Sequence, residues 1–360
     1  MIWTMILGLA IYFGGNAYLF VRLLQQIVAY PLGMQLFVSV LFWFCAVAMF
    51  LAIAMRGVAM PTIVHRLLYA CGSVWMVFLL YMVLALILFD LLSIFLPIRG
   101  ITVLLAFVVT SATLIYGYYN YRTPKVEYID INAKNVQYGS SLRIVAISDV
   151  HLGYGTNRED LRRYVELINR QNPDVVVIVG DLIDNSIEPV RRDDMCAEFS
   201  HVRARLGVYM VAGNHEYISD IGACEEYLAG SVVRLVRDDV VELAGGVQLI
   251  CRDDMSNRRR KSLAEFMSVV DAKMPVVVLD HQPNEIELSS REGVDLHISG
   301  HTHRGQVWPI SLLADAIFEQ SYGYRLWGET HAYVSSGLSL WGPPFRIGTQ
   351  SELVVIDMHY

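Results

Sequence analysis

The chain has 360 residues, 54% of them hydrophobic and 18% charged, with a formal net charge of −7. Residues 1–121 hold only Arg22, Arg56, Arg66, Arg99 and Asp90 (net +3), whereas residues 122–360 hold 24 Lys and Arg against 34 Asp and Glu (net −10), so two physical classes are joined in one chain. An acidic domain without a basic stripe makes nucleic acid an unlikely partner, because duplex binding depends on neutralising phosphates with Lys and Arg.

Four stretches are long and apolar enough to span a bilayer: Ile2–Val21, Leu36–Met55, Leu67–Phe89 and Ile101–Tyr119. A helix needs about 20 such residues to cross the hydrocarbon. The first lacks a basic start and a small-residue cleavage site and is followed by three more, which reads as a retained helix and not a signal peptide. An even number of spans puts both ends of the region on one side. Arg56, Arg66, Arg122 and Lys125 flank that side against Arg22 and Arg99 on the other. The positive-inside rule then predicts a multi-pass inner or plasma membrane protein with its second domain in the cytoplasm. Asp90, the one acidic residue of this region, is expected at the headgroups, with the third span ending near Phe89 and Leu91–Leu96 along the interface. Of five cysteines, Cys45 and Cys71 fall in spans; Cys196, Cys224 and Cys251 form an odd set without framework spacing and read as reduced core thiols.

Past the last span, a domain over residues 126–360 begins almost at once. Val126–Ile131 alternates like a strand, and Leu142–Ser148, Val175–Val179, Val208–Ala212, Val276–Leu279 and Val294–Ser299 read as buried strands. Between them Arg158–Arg170 places Leu161, Tyr164, Val165 and Ile168 on one helical face, stopped by Asn172-Pro173, and Ser262-Leu263-Ala264-Glu265 has the form of a capping box opening a helix towards Val270. His331–Ser335 and Glu352–Asp357 are further strands with no helix between them. The pattern predicts an α/β domain of two sheets packed face to face with helices outside.

Five short motifs lie at the ends of these runs: Asp149-Val150-His151, Gly180-Asp181, Gly213-Asn214-His215-Glu216, His281, and Gly300-His301-Thr302-His303. Loops at the carboxyl ends of strands converge on a ligand in α/β sheets. Scattered O and N donors would therefore cluster in space, in sufficient number for two metal ions. Asp181 can bridge two ions, since a carboxylate offers about four lone-pair sites. Such an N/O environment suits Mn, Fe or Zn better than Ca or Mg. The remaining histidines, His65, His201, His297, His331 and His359, are read as structural.

The order and content of these motifs resemble the calcineurin-like metallophosphoesterase superfamily, and in particular its bacterial membrane-associated branch. The resemblance covers roughly residues 126–360 and rests on Ser148-Asp149-Val150-His151-Leu152-Gly153, His281-Gln282-Pro283, the Gly300–Gln306 loop, and the tail from Trp341-Gly342-Pro343-Pro344 to Glu352. It implies the family's two-sheet sandwich, with Asp149, His151 and His303 on one ion, Asn214, His281 and His301 on the other, and Asp181 between them. It further implies that His215 assists at the scissile phosphate and that Asp184 pairs with it. Arg304 departs from the branch, which commonly has glycine after His-Thr-His.

Two features bear on substrate. Tyr322, Tyr324, Trp327, Tyr333, Trp341 and Phe345 read as an aromatic rim, a membrane-facing edge or plain packing, and Arg258-Arg259-Arg260-Lys261 as a headgroup contact or a solvated loop. The expectation is a membrane-anchored, metal-dependent phosphohydrolase with two divalent ions, Mn foremost, acting on a phosphorylated small-molecule or lipid-linked substrate. The competing expectation is a membrane scaffold or sensor that binds a phosphorylated ligand without turnover.

Overall fold

The computed structural model describes residues 2–55, 61–134, 139–271 and 273–360. The apolar first third folds into four helices: α1 (Ile2–Ile27), α2 (Leu32–Ala54), α3 (Thr62–Leu92) and α4 (Thr102–Arg122). The shortest, α4, has 21 residues, about 31 Å at the helical rise per residue. All four are long and apolar enough to cross a membrane. Their outward faces carry Leu7, Phe37, Leu67, Phe107 and Ile115, and their inward faces pack Phe42, Leu79, Met82, Leu86 and Ala106 together. Gly72 is required where α3 meets α2, because a Cβ there would overlap the backbone of Met49. Small residues permit such close approach in membrane helix pairs.

Several polar side chains in this unit are matched. Asn16 accepts from Trp75 Nε1 at 2.9 Å and donates to the Tyr12 carbonyl at 2.9 Å. The third helix does not end at Phe89 but continues to Leu92, which puts Asp90 inside it. Its carboxylate pairs with Arg22 of α1 and accepts from Tyr18 Oη at 2.8 Å, while Arg22 also donates to Thr102 Oγ1 of α4 at 2.9 Å. The mutual neutralisation of the two charges is what allows the helix to carry Asp90 past the expected end. Arg56, one of the residues used to orient the spans, lies outside the described residues.

A second compact unit comprises Asn120–Trp341 and Arg346–Tyr360. Its first half runs β1 (Lys125–Asn132), β2 (Ser141–Ile147), α5 (Arg158–Asn169), β3 (Val175–Val179), α6 (Glu188–Arg192), β4 (Val208–Val211), α7 (Asn214–Ile218), α8 (Ile221–Leu228) and β5 (Val233–Leu235). There follow β6 (Asp239–Glu242), β7 (Gln248–Cys251), α9 (Leu263–Met267), β8 (Val276–Leu279), α10 (Ile286–Arg291) and β9 (Leu296–Ser299). Then come α11 (Ile310–Ile317), β10 (Gly323–Trp327), β11 (Thr330–Val334) and β12 (Glu352–His359).

The strands form two six-stranded mixed sheets, ordered β1-β12-β2-β3-β4-β5 and β10-β11-β9-β8-β7-β6. In the first, β2, β3, β4 and β5 run parallel and β12 runs against β2; in the second, β7, β8, β9 and β11 run parallel, with β6 and β10 reversed at the edges. Period-two alternation sorts their side chains. Val175, Val177 and Val179 face Val277, Leu279, Leu296 and Ile298 of the other sheet, while Val176 and Ile178 pack outward on Leu161, Val165 and Ile168 of α5. On the far side, Val276 and Val278 meet Leu263 and Phe266 of α9. Truncating Ile178 to alanine in such a core costs about 2–5 kcal/mol.

The capping box of Ser262 and Glu265 folds as written, although α9 stops at Met267, and at the start of α5 Asn157 accepts from the backbone N–H of Glu159 and Asp160. Strands β5, β6 and β7 follow one another without helices, and β10 pairs with β11 as a hairpin, so strict alternation fails in both places. Cys196, Cys224 and Cys251 are buried and form no disulfides.

Candidate metal centre

Each donor residue sits just past a strand that the hydrophobic pattern already marked. Asp149 and His151 follow β2, Asp181 and Asp184 follow β3, Asn214 and His215 open α7 after β4, His281 follows β8, and His301 and His303 follow β9. The turns are bound to one another by backbone: Asp149 N–H donates to the Gly180 carbonyl at 3.1 Å, His151 N–H to the Asp181 carbonyl at 3.0 Å and Gly300 N–H to the His281 carbonyl at 3.0 Å. Asp149, His151, Asp181, His301 and His303 all have positive φ, between 48° and 70°. Non-glycine residues held there cost of order 1–3 kcal/mol each, a strain that concentrates at functional sites. Gly180, at φ 79°, combines the left-handed region with close approach, since a Cβ would overlap the His281 ring.

These turns bring the donors together in buried groups. Asp149, His151 and His303 offer ligand atoms within 4.8 Å of one another, and so do Asp181, His281 and His301; a third such group joins His151, Asp181 and His215. Asp181 therefore belongs to both the second and third groups. The Nε2 atoms of His151 and His303 face each other at 3.2 Å, with His303 Nε2 3.5 Å from Asp149 Oδ1 and His151 Nε2 3.8 Å from Asp181 Oδ2. His281 Nδ1 donates to the Val179 carbonyl at 2.9 Å, which directs Nε2 inward, 3.1 Å from Asp181 Oδ2. A backbone carbonyl behind a histidine in this way fixes the tautomer that ligates metal.

The donor set fits divalent metal on an independent ground. His281 Nε2 and Asn214 Oδ1 are buried with no hydrogen-bond partner, and an unpaired buried polar atom costs about 1–3 kcal/mol. A nitrogen lone pair aimed at a carboxylate oxygen needs a proton or a cation between them. The electrostatics express the same demand. Burial opposes charge on His281, but Asp181 outweighs it and holds the imidazole well above its usual range; burial likewise pushes Asp181 up, and His281, His151 and His215 bring it below the usual carboxylate range. Burial and the Arg346 guanidinium hold His303 well below the ordinary histidine value.

Asp184 is buried beside His215 and His151, its Oδ1 3.2 Å from His215 Nδ1 and 3.6 Å from His151 Nδ1. Burial would raise its pKa; the two imidazoles lower it to about 2. His215 is anchored by its own backbone, whose N–H donates to Asp181 Oδ1 at 2.8 Å.

Two residues to which the sequence assigned no role hold these loops. Glu216 is fully buried and accepts from Gly213 N–H at 2.7 Å, Asp181 N–H at 3.0 Å and Ile183 N–H at 2.9 Å, tying the β3 and β4 turns together. Burial and the nearby Asp181 push its pKa up to about 7. The signal for it was present as Gly213-x-x-Glu216, the spacing of a capping box. Arg346, also fully buried, donates to the carbonyls of His303 at 2.9 Å and Ser336 at 2.5 Å. Nothing in its local sequence announces this, because its partners lie 43 and 10 residues away.

The remaining features resolve individually. Arg304 stacks on the Tyr322 ring, 4.6 Å from its centroid. Trp341 is exposed, with its ring 6.2 Å from that of His215, and Phe318 lies 5.8 Å from His301, whereas Tyr333 is buried. In the basic run, Arg260 is tied to Asp280 and Glu285 and Lys261 to the Asp238 carbonyl, leaving Arg258 and Arg259 exposed. His297 is a core residue between Ser289 and Ser299.

The model of the calcineurin-like phosphoesterase family matches residues 142–305, from β2 through the His303 turn. A zebrafish (Danio rerio) protein described as a transmembrane protein with a metallophosphoesterase domain is 32% identical over 270 residues, covering 70% of this chain and 61% of that one. An uncharacterized metallophosphoesterase of Campylobacter jejuni is 30% identical over 262 residues, covering 71% of this chain and 69% of its own. The chain thus spans about three fifths of the zebrafish protein's length. A solved calcineurin-like phosphoesterase, YfkN of Bacillus subtilis, aligns at a TM-score of 0.38 with 16% identity over 56% of this chain and 82% of that one, a likeness too shallow to add to these. With the family match, these relatives and the clustered donors at the strand ends, the chain belongs to the calcineurin-like metallophosphoesterase family.

Proposed function

We propose that the chain is a membrane-anchored, dinuclear metal-dependent phosphohydrolase, with a four-span membrane region over residues 1–121 and a catalytic domain over 126–360. The observation that carries this reading is the pair of buried, unpartnered donors, His281 Nε2 and Asn214 Oδ1, aimed into a cluster of histidines and aspartates. Asp149, His151 and His303 would hold one ion and Asn214, His281 and His301 the other, with Asp181 shared. Two divalent ions, Mn first and Fe or Zn as alternatives, would supply Lewis acidity to the phosphoryl oxygens and lower the pKa of a water.

The chain's own groups do the rest. His215 is the histidine left over from ligation, and it stabilises charge at the scissile phosphate or gives a proton to the leaving oxygen. Asp184, 3.2 Å from His215 Nδ1, orients that ring. Glu216 and Arg346 fix the turns from behind, so that little reorganisation is needed when charge develops. The cytoplasmic side is favoured for the catalytic domain by Arg56, Arg66, Arg122 and Lys125 in the sequence, against Arg22 and Arg99 on the other side. A lipid-linked phosphoester or pyrophosphate is the preferred substrate class, since the tether keeps the domain at the membrane.

The test is metal analysis and turnover of the full chain in detergent. Two ions per chain and Mn-dependent hydrolysis of lipid pyrophosphates or phosphodiesters are expected. Fewer than two ions and no hydrolysis of any phosphoester would favour a ligand-binding scaffold, and activity on soluble nucleotides alone would remove the lipid reading.

A further inference from the structure

Helix α11 turns its large apolar residues outward. Its inward residues are Ser311 and Ala314, both buried, while Leu312, Leu313 and Ile317 are 58%, 62% and 73% exposed. With Ala316, which is also exposed, these side chains fill the outward face; Asp315 sits at its edge, bonded to Ser321 Oγ. A helix on a globular surface normally turns its apolar stripe to the core and its polar face to water. Here Ser311 and Ala314 are inside, Asp315 is exposed at the edge, and a contiguous apolar strip is outside, preceded by Trp308, which is 50% exposed. Exposed apolar patches of this kind mark an interaction surface.

The position of the helix gives the strip meaning. At its N-terminal end the turn carrying His303 lies backbone to backbone on α11, because a Cβ on Gly305 would come within 2.5 Å of Ser311 N. At its C-terminal end Phe318 packs edge-on against the His301 ring at 5.8 Å. Thr302 Oγ1, between the two histidines, donates to the Ser321 carbonyl just past the helix at 2.5 Å. One wall of the metal centre is thus built on the inner side of α11 and the apolar strip is its outer side.

We propose that α11 is an interfacial helix, whose outward Leu312, Leu313 and Ile317 seat in the lipid bilayer surface and bring the His301 and His303 side of the centre to headgroup level. The proposal rests on the phosphohydrolase reading for its catalytic meaning but not for its geometry. The bilayer is the occupant because the same chain supplies four helices long and apolar enough to cross one, and only Thr123 and Pro124 separate the end of α4 from β1. An apolar helical face with a flanking tryptophan has the composition that lies in the interface plane.

The full chain, reconstituted in phosphatidylcholine and phosphatidylglycerol vesicles, tests this through nitroxides at Leu313→Cys and Ile317→Cys. A control label at Val269→Cys, 73% exposed beside α9, and the unsubstituted protein as labelling background complete the set. The expected result is a shift of relaxation preference towards oxygen over a water-soluble nickel complex at the two α11 sites, with the reverse at position 269. Preference for the nickel complex at all three sites would overturn the proposal, and so would shielding from both relaxants, which would mean that the strip packs on protein such as a second copy. Two bound ions in each labelled variant show that the fold is intact. Hydrolysis of a soluble nitrophenyl phosphodiester, measured in parallel, separates failure of the seating from failure of the phosphohydrolase reading.

Discussion

The two units of this chain arrange their polar side chains differently. In the helical unit Tyr18, Arg22, Asp90 and Thr102 pair with one another across α1, α3 and α4, with Arg22 Nε left over, and Asn16 pairs with Trp75 and the Tyr12 carbonyl. In the α/β unit the apolar residues are inside and most buried polar groups are paired, yet at the strand ends His281 Nε2 and Asn214 Oδ1 are left without partners among their neighbours. A satisfied polar network holds structure together; a convergent unsatisfied one is arranged for something that binds. A carboxylate in an apolar helix need not be functional, and for Asp90 the pairing with Arg22 and Tyr18 gives a structural account.

The largest expected effect comes from removing the shared carboxylate. Asp181→Ala should lose bound metal and lower hydrolysis by more than the roughly 10–100-fold typical of outer-shell changes, as read by metal analysis and turnover together; full metal content with normal turnover would overturn its bridging role. His215→Ala should behave differently, keeping both ions while turnover drops about 10²–10⁴-fold. Equal loss of metal in both variants would mean that His215 is a ligand, as its proximity to His151 and Asp181 permits.

Glu216→Gln keeps the size of the side chain but weakens its hold on three backbone N–H groups, and a loss of about 10–100-fold in metal affinity is expected from titration of the stripped protein with Mn. In the other unit, Asp90→Ala leaves the Arg22 guanidinium short of its anionic partner. It should lower the stability of the helical unit by about 1–3 kcal/mol, measured by thermal unfolding in detergent, without altering turnover per bound metal pair. A large loss of turnover there would make Asp90 functional after all and collapse the contrast between the units.

The smallest effect concerns His297, which burial and then the Arg252 and Arg260 charges push down to about 3 from an ordinary 6.5. Above pH 6.5 the imidazole is neutral whether the chain is folded or not, so it contributes no pH dependence. As pH falls from 6.5 towards 3, the unfolded chain takes a proton that the folded one refuses, and stability declines over that window. His297→Gln should flatten the acid side of a plot of denaturation midpoint against pH; an unchanged slope would mean that the acid sensitivity lies elsewhere.

Much of the fold was legible because local pattern and burial agree. Val175–Val179 and Val276–Leu279 are strands at the residues the hydrophobic runs mark, for five or four consecutive apolar residues between turn signals have few other uses. The four apolar helices were equally clear. Less legible were the short strands β5, β6 and β7, whose mixed composition depends on neighbours for burial, and α11, whose apolar residues face outward and so break the rule by which helices are recognised. The extension of α3 beyond Phe89 was hidden for a related reason: the partner that tolerates Asp90 is 68 residues away.

The amino-acid sequence by itself determined the strongly apolar strands and helices, the chemical types of the donors and the order in which they occur, because these follow from side-chain periodicity and turn chemistry over a few residues. Only the tertiary structure decided which donors share a space, which nitrogen of His281 points inward, that Glu216 and Arg346 hold the turns, and that α11 bears its apolar strip outside. Those depend on contacts between residues tens to more than a hundred positions apart, where sheet register and packing, and not local propensity, set the distance.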